Sequence, residues 1–457
     1  MAAACEPPCV GRRSRVSFEA WSRSLSQPVD VASLAAFRIL FGLVMACSTA
    51  RFVLNGWVST LYLEPLHHFS YPGLSFVEPW PPLGMYAHFA FLFGAALCIA
   101  IGWCTRLASL GFCLGFTYLE LIDQSLYLNH YYLVTLLAAL LALLPAGRAF
   151  SLDAWLRPER RVSTLPRFAL LALQIQVGLV YVFAGVSKLN RDWLVEAQPL
   201  RIWLAARSDL PLVGPWLAAP AVAVIASWAG CWFDLTIVGF LSWRRTRSVA
   251  MAAVVGFHAV TGLLFPIGIF PWLMTVAATL LLKPEWPRAL SRFQLPERWR
   301  RSTASGLRPR AWEPPGWLFP VLALHCCVQS VLPLRQHLHR SNSAWTLEGF
   351  NFAWNVMVAE KAGSVSFRAC ERADTATTRV EPRSFLAKFQ EAAMAQNPEL
   401  VRQAALFVAD GFRRRGRDVA VYADAFASLN GRPAQRLVDP AVDLTRPVPR
   451  GWILPLE

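Results

Sequence analysis

A chain of 457 residues that is 55% hydrophobic and only 16% charged, with mean hydropathy +0.38, is too apolar for a soluble globular enzyme and reads as a polytopic membrane protein. A net charge of +15 could suit nucleic acid, but the Arg are gathered in short loops between apolar runs, as membrane topology requires, so no nucleic-acid partner is expected. The ten cysteines form no CxxC pair and no zinc spacing with His, so no metal site is expected.

Residues 1–30 are polar, carry Arg12, Arg13 and Arg15, and read as a cytoplasmic segment with no cleavable signal peptide. The transmembrane domain is expected over 31–335. Its apolar runs lie near 31–53, 84–104, 108–123, 128–146, 166–187, 217–243, 249–264, 268–282 and 316–335. Those near 108, 249 and 268 fall short of the roughly 20 residues that cross a bilayer. The loop from Phe52 to Met85 has no Lys or Arg, whereas eight basic residues lie between Lys283 and Arg310. With about nine spans, every strongly basic loop falls on the cytoplasmic side, and the chain after about Arg335 lies outside. The loop after Lys188 also falls outside, although it carries Arg191, Arg201 and Arg207.

Beyond the last run the composition changes. FNFAWNVMVA, SVSFRAC and DVAVYADAFASL read as strands around a helical stretch from Glu381 to Arg415. The expected fold is therefore an all-α polytopic membrane bundle with a small C-terminal extramembrane α+β domain over 336–457. Heavy use of Ala, Arg, Trp and Pro with little Lys fits a bacterial chain, so the bacterial inner membrane is the expected location, with lipid as a partner.

Of 44 Lys and Arg, only Lys188, Lys283, Lys361 and Lys388 are Lys. Lys188 ends an apolar run, where Lys usually snorkels its ammonium to the interface. A chain that otherwise writes Arg has placed there the one cation that can lose its proton and act as a base. His258 lies in FHAVTGLLFPIGIF, where Pro266 and Gly268 break the helix, and broken backbone at that depth must be buried in protein or line a cavity. Asn129 and His130 begin a span, as a cap and an interfacial side chain or as site residues. Arg38 and Asp234 are charges within apolar spans and are expected to be paired, locking helices together.

Seven strings, in order, resemble the vitamin K-dependent γ-glutamyl carboxylase family and its bacterial relatives with an HTTM domain. They are SLAAFRILFGLVM (33–45), NHYYLVTLL (129–137), YVFAGVSKLNRDWL (181–194), FHAVTGLLFPIGIF (257–270), KPEWPRAL (283–290), GFNFAWNVMV (349–358) and SLNGRPAQRLVDPAVDL (428–444). The resemblance implies a lyase that carboxylates protein-bound glutamate while oxygenating reduced vitamin K to its epoxide. CO2 and O2 are co-substrates and no metal is needed. It implies Lys188 as the base that deprotonates the hydroquinone. Asn129, His130, His258, Gly268, Trp354 and Met357 would lie at the quinone site, although strand packing also explains Trp354 and Met357.

The sequence departs from the family's pattern in three places. Arg148 stands where animal enzymes have the His of a second Asn-His string, Phe350 stands where they carry a Tyr ahead of the Trp, and the sequence ends at Glu457 without their long C-terminal extension. Two other readings stay open: a membrane quinol oxygenase or epoxidase that does not carboxylate, and a non-enzymatic quinone- or lipid-binding protein with Lys188 as an anchor.

Overall fold

All nine apolar runs fold as helices. A computed structural model describes residues 22–289, 310–339, 341–373 and 376–456; Arg12, Arg13, Arg15 and most of the basic stretch after Lys283 lie outside them. The bundle comprises α1 (Ala32–Leu54), α2 (Pro82–Ile101), α3 (Thr105–Ile122), α4 (Asn129–Leu143), α5 (Arg167–Ser187), α6 (Pro220–Ser242), α7 (Arg247–Leu264), α8 (Phe270–Ala278) and α9 (Leu318–Val331). Among the described residues, six helices are long and apolar enough to cross a membrane: α1, α2, α5, α6, α7 and α9 with its 3₁₀ extension to Leu338. The runs at α4 and α8 are shorter, and α3 carries Arg106 and Glu120.

Helical spacing sets the core. Along α1, Leu34, Phe37, Phe41, Met45 and Phe52 recur on one face and are buried against α2 and the helices beyond it. The outer helices bury little of themselves. Val249, Val255, Val260 and Leu263 of α7 and Leu324 and Val328 of α9 point outward. An apolar surface of that extent is stable in lipid, which makes this an integral membrane protein. Trp155, Trp216, Trp243 and Trp272 also stay exposed near helix ends, as in an interfacial belt.

Arg38 shows how the bundle tolerates a charge. It is fully buried, and its partners are carbonyls: Nη1 donates to Ile99 O (2.5 Å) and Ala100 O (2.9 Å), and Nη2 to Phe150 O (2.5 Å). The guanidinium thus satisfies the open carbonyls at the end of α2. Gly102, with φ of 75°, lets the chain turn there, and a Cβ would overlap Arg38 Nη1 at 2.6 Å. At the same end, β1 (Pro28–Asp30) pairs with β2 (Thr164–Pro166), and Arg288 clasps Asp30 through two bonds of 2.6 and 2.9 Å.

The C-terminal part is a four-stranded antiparallel sheet of order β4-β3-β5-β6, formed by β3 (Lys361–Glu371), β4 (Thr377–Val380), β5 (Val419–Leu429) and β6 (Gln435–Arg436). On β5, Val419, Val421, Ala423, Ala425, Ala427 and Leu429 alternate inward. They face α10 (Lys388–Met394) and α11 (Pro398–Arg413), which buries Leu400, Val401, Ala404, Val408 and Phe412. The predicted single helical stretch is two helices, because Pro398 starts α11 and Asn397 caps it.

The predicted strand FNFAWNVMVA is an irregular segment instead. Phe352, Trp354 and Met357 have φ of 62°, 57° and 53°, and alternating left-handed residues cannot form a pleated ladder. This segment enters the bundle, and Trp354 joins the helical core.

The domain sits on the bundle end formed by the loop after α1, the α3–α4 turn and the loop after α5. Gln390 donates to Asp123 Oδ2 (2.7 Å) and His67 O (2.6 Å), and Phe69 is buried in the domain's core. Arg432 grips both oxygens of Asp192 at 2.6 and 2.7 Å, which holds that carboxyl below its usual range.

Candidate functional site

Lys188 caps the C-terminus of α5 and is 5% exposed. Its Nζ donates to Ala184 O (3.0 Å), Asp234 Oδ2 (2.9 Å) and Val356 O (3.1 Å), and lies 5.1 Å from the Trp193 ring. Three donors meet three oxygens, so the amine is fully engaged inside the protein. A snorkelling anchor would reach for water; this side chain reaches inward. Asp234, on α6 and 6% exposed, is therefore the counter-charge of Lys188, and the pair joins α5 to α6 in a dry setting. The helix-locking expected of Asp234 is real, and its partner is the candidate base.

Two turns before Lys188, on the same face of α5, Tyr181 shares a 3.0 Å hydrogen bond with His258 Nε2. His258 is 2% exposed, and its Nδ1 is buried without a partner. Phe233, next to Asp234, packs edge-on to Tyr181 and His258, with centroids 6.1 and 6.4 Å away. The helix holding His258 stops at Leu264 and resumes as α8 at Phe270. Gly268, with φ of 62°, stands in this break, where a Cβ would lie 3.6 Å from Arg51 Nη2 and 3.9 Å from His130 Nε2. Phe270 lies between the two imidazoles, 6.0 Å from His258 and 5.8 Å from His130. His258, His130 and Gly268 therefore share one aromatic neighbourhood.

Asn129 does not cap α4; it is the first helical residue, and Leu128 precedes it without a side-chain cap. Its amide donates to Asn355 O (3.1 Å), and its oxygen accepts from Tyr127 Oη (3.0 Å), which in turn accepts from Phe352 N (2.7 Å). Asn129 thus tethers the inserted segment, while Trp354 stacks on Tyr132 at 5.2 Å and 26°. Gln329 donates to that tyrosine's hydroxyl (2.7 Å), and Trp354 Nε1 is buried without a partner. Met357 closes the segment at the third left-handed position, beside the Val356 carbonyl that Lys188 binds.

Lys188, Asn129, His130 and Gly268 lie at helix ends on the domain-bearing side of the bundle, and Trp354 and Met357 descend onto them from the domain. His258 lies deeper. Arg148 does not belong here: it neighbours Arg106, Arg160 and Arg310 at the opposite end. Sequence reasoning missed Arg51, Tyr181, Tyr132, Tyr127 and Gln329. The signal for Tyr181 was present, since it lies seven residues before Lys188 and so on its face; the others become visible only through the inserted segment and the helix break.

Two buried polar atoms, His258 Nδ1 and the Trp354 indole N–H, are left without a partner among aromatic side chains.

Comparison with known families gives two matches. The HTTM domain model matches residues 26–286. The model described as vitamin K-dependent gamma-carboxylase, lumenal domain, matches residues 315–457. No solved structure matches the chain.

Proposed function

Because this chain belongs to the HTTM family and to the wider vitamin K-dependent γ-carboxylase family, we propose that it carboxylates the γ-carbon of protein-bound glutamate, coupled to oxygenation of reduced vitamin K, with Lys188 as the base. The observation that carries the reading is the buried Lys188–Asp234 pair beneath the inserted segment. Bound reduced vitamin K supplies the weakly acidic hydroxyl and the reducing equivalents that O2 consumes. Asp234 solves the base's difficulty. A base must shed a proton before it can take one, and the Oδ2 that accepts from Nζ is the group that would receive it. When Nζ takes a proton from the ring hydroxyl, the pair becomes net positive opposite the negative charge created. Tyr181 and Trp193 hold the aromatic wall, the open His258 Nδ1 and Trp354 N–H are the polar atoms that would meet the ring oxygens, and the segment 350–357 screens Nζ from water.

The deviation at Arg148 gives no support to a non-carboxylating enzyme, because that residue is remote from the site. Purified protein incubated with a Glu-containing peptide, reduced vitamin K, O2 and labelled bicarbonate should transfer the label onto glutamate, read by mass spectrometry. Lys188→Arg keeps the cation but cannot supply a neutral amine, so both carboxylation and quinol oxidation should fall by roughly 10²- to 10⁴-fold. Oxidation at the wild-type rate in a folded Lys188→Arg protein would remove Lys188 as the base. Quinol oxidation without label transfer would establish the oxygenase reading instead.

A further inference from the structure

Arg51 has no anionic partner among the described residues. It lies in the last turn of α1, partly buried, with its guanidinium 5.1 Å from the Trp57 ring and its Nε buried and unpartnered. Among the described residues it forms no ion pair. A position at a helix C-terminus favours a positive charge. It does not explain why this Arg is directed into the helix break, where Nη2 lies 3.6 Å from the missing Cβ of Gly268. Arg38 shares an unpartnered Nε, but its two Nη atoms donate to carbonyls, and Arg288 has Asp30; among the described residues the Arg51 guanidinium has neither kind of partner. Glu120 lines a small cavity with Tyr131, Ser48, Thr49 and Phe52 but does not pair with Arg51.

Resting on the function proposed above, we infer that Arg51, with His130 and the bare backbone at Gly268, forms the slot that binds the γ-carboxylate of the substrate glutamate. Three features fit that ligand. A guanidinium offers two parallel donors matched to a carboxylate. Gly268 leaves open the space between guanidinium and imidazole that a side chain would fill. Lys188 is already neutralised by Asp234, whereas Arg51 has no ion-pair partner among the described residues and so keeps its charge for an incoming anion. The slot lies at the bundle end on which the C-terminal domain sits, as a peptide approaching from that side requires.

The test is equilibrium binding of fluorescent peptides to the full chain in detergent, comparing a Glu peptide with the same sequence carrying Gln. The wild type should prefer Glu by about tenfold or more, as one charge-assisted pair provides. Arg51→Met should bind the two alike, and Arg51→Lys should keep part of the preference. A wild-type protein that binds the Glu peptide no better than the Gln peptide overturns the slot whatever the variants do. An Arg51→Met protein that keeps the preference, or that loses both peptides equally, overturns the role of Arg51 while leaving the carboxylase reading intact. If label transfer to glutamate also fails, the function reading falls with it.

Discussion

Lys188 and Asp234 each stand in an apolar helix as single charges, and each is tolerable only because of the other. Removing one partner of a buried pair strands the remaining charge, at about 3–5 kcal/mol, while replacing both with apolar residues of similar size is often neutral. Asp234→Asn should therefore lower the thermal stability of the bundle markedly, and Lys188→Met with Asp234→Leu should recover most of the loss while remaining inactive. Melting curves of both variants in one detergent decide it; equal stability of Asp234→Asn and wild type would mean that the pair is not charged at rest. Arg38 follows a different rule, since it donates to two carbonyls at the end of α2 and to Phe150 O and makes no ion pair among the described residues.

Among the elements, the inserted segment 350–357 and strand β3 divide the work of the C-terminal part. The segment gives up regular hydrogen bonding and takes partners from the bundle through Asn129, Tyr127 and Lys188. β3 holds the domain together, and it contains a second buried lysine. Lys361 Nζ donates to Trp345 O and to Gln396 O (2.6 Å) and lies 4.9 Å from the Trp345 ring. Burial nevertheless pushes its ammonium down to about 7 from 10.5. Between these two values the unfolded chain holds a proton that the folded chain lacks, so stability rises with pH there. Below about 7 both states are protonated and the whole penalty of burial is felt. The protection of β3 amides against hydrogen exchange, corrected for intrinsic rates, should increase from pH 7 to 9 by up to about 1.4 kcal/mol per unit. Lys361→Met should flatten that slope; an unchanged slope would assign the effect to another group.

For the whole molecule, the loop after α1 and the chain preceding α9 belong to opposite ends of the bundle. The first docks against the domain through His67, Phe69 and Ser70. The second is tied to the β1–β2 end through Arg310, which accepts from Ser163 N. The Arg distribution predicts that the domain and the site face away from the cytoplasm, in which case a glutamate substrate would be a secreted or surface protein. In a background with the native cysteines replaced, Ser75→Cys should react with an impermeant maleimide in intact cells, and Glu313→Cys only after lysis. Labelling of both in intact cells would reject this orientation. The three Arg of the loop after α5 look anomalous for that predicted topology, and the structure accounts for one of them: Arg207 donates to Leu264 O (2.7 Å), closing the carbonyl end of α7 beside the helix break.

The sequence by itself determined the membrane character, the positions of the nine helical runs, the break at Pro266 to Gly268 and the alternation of β3 and β5. All of these follow from local composition and period, and they require no knowledge of neighbours. It also singled out Lys188, because rarity against 40 Arg is a property of the chain alone. It misread FNFAWNVMVA, whose apolar alternation has the period of a strand, because insertion into the bundle supplied better hydrogen-bond and packing partners than a sheet edge would. Which charge meets which was decided by the tertiary structure. Asp234 lies 46 residues from Lys188, Val356 lies 168 residues away and Gly268 lies far along the chain from Arg51, and no local pattern encodes contacts at such separations. Burial then set their character, because Lys and Arg side chains that are ordinary cations in water become a tightly paired ammonium at Lys188 and a partly buried guanidinium without an ion pair at Arg51 once the bundle excludes water.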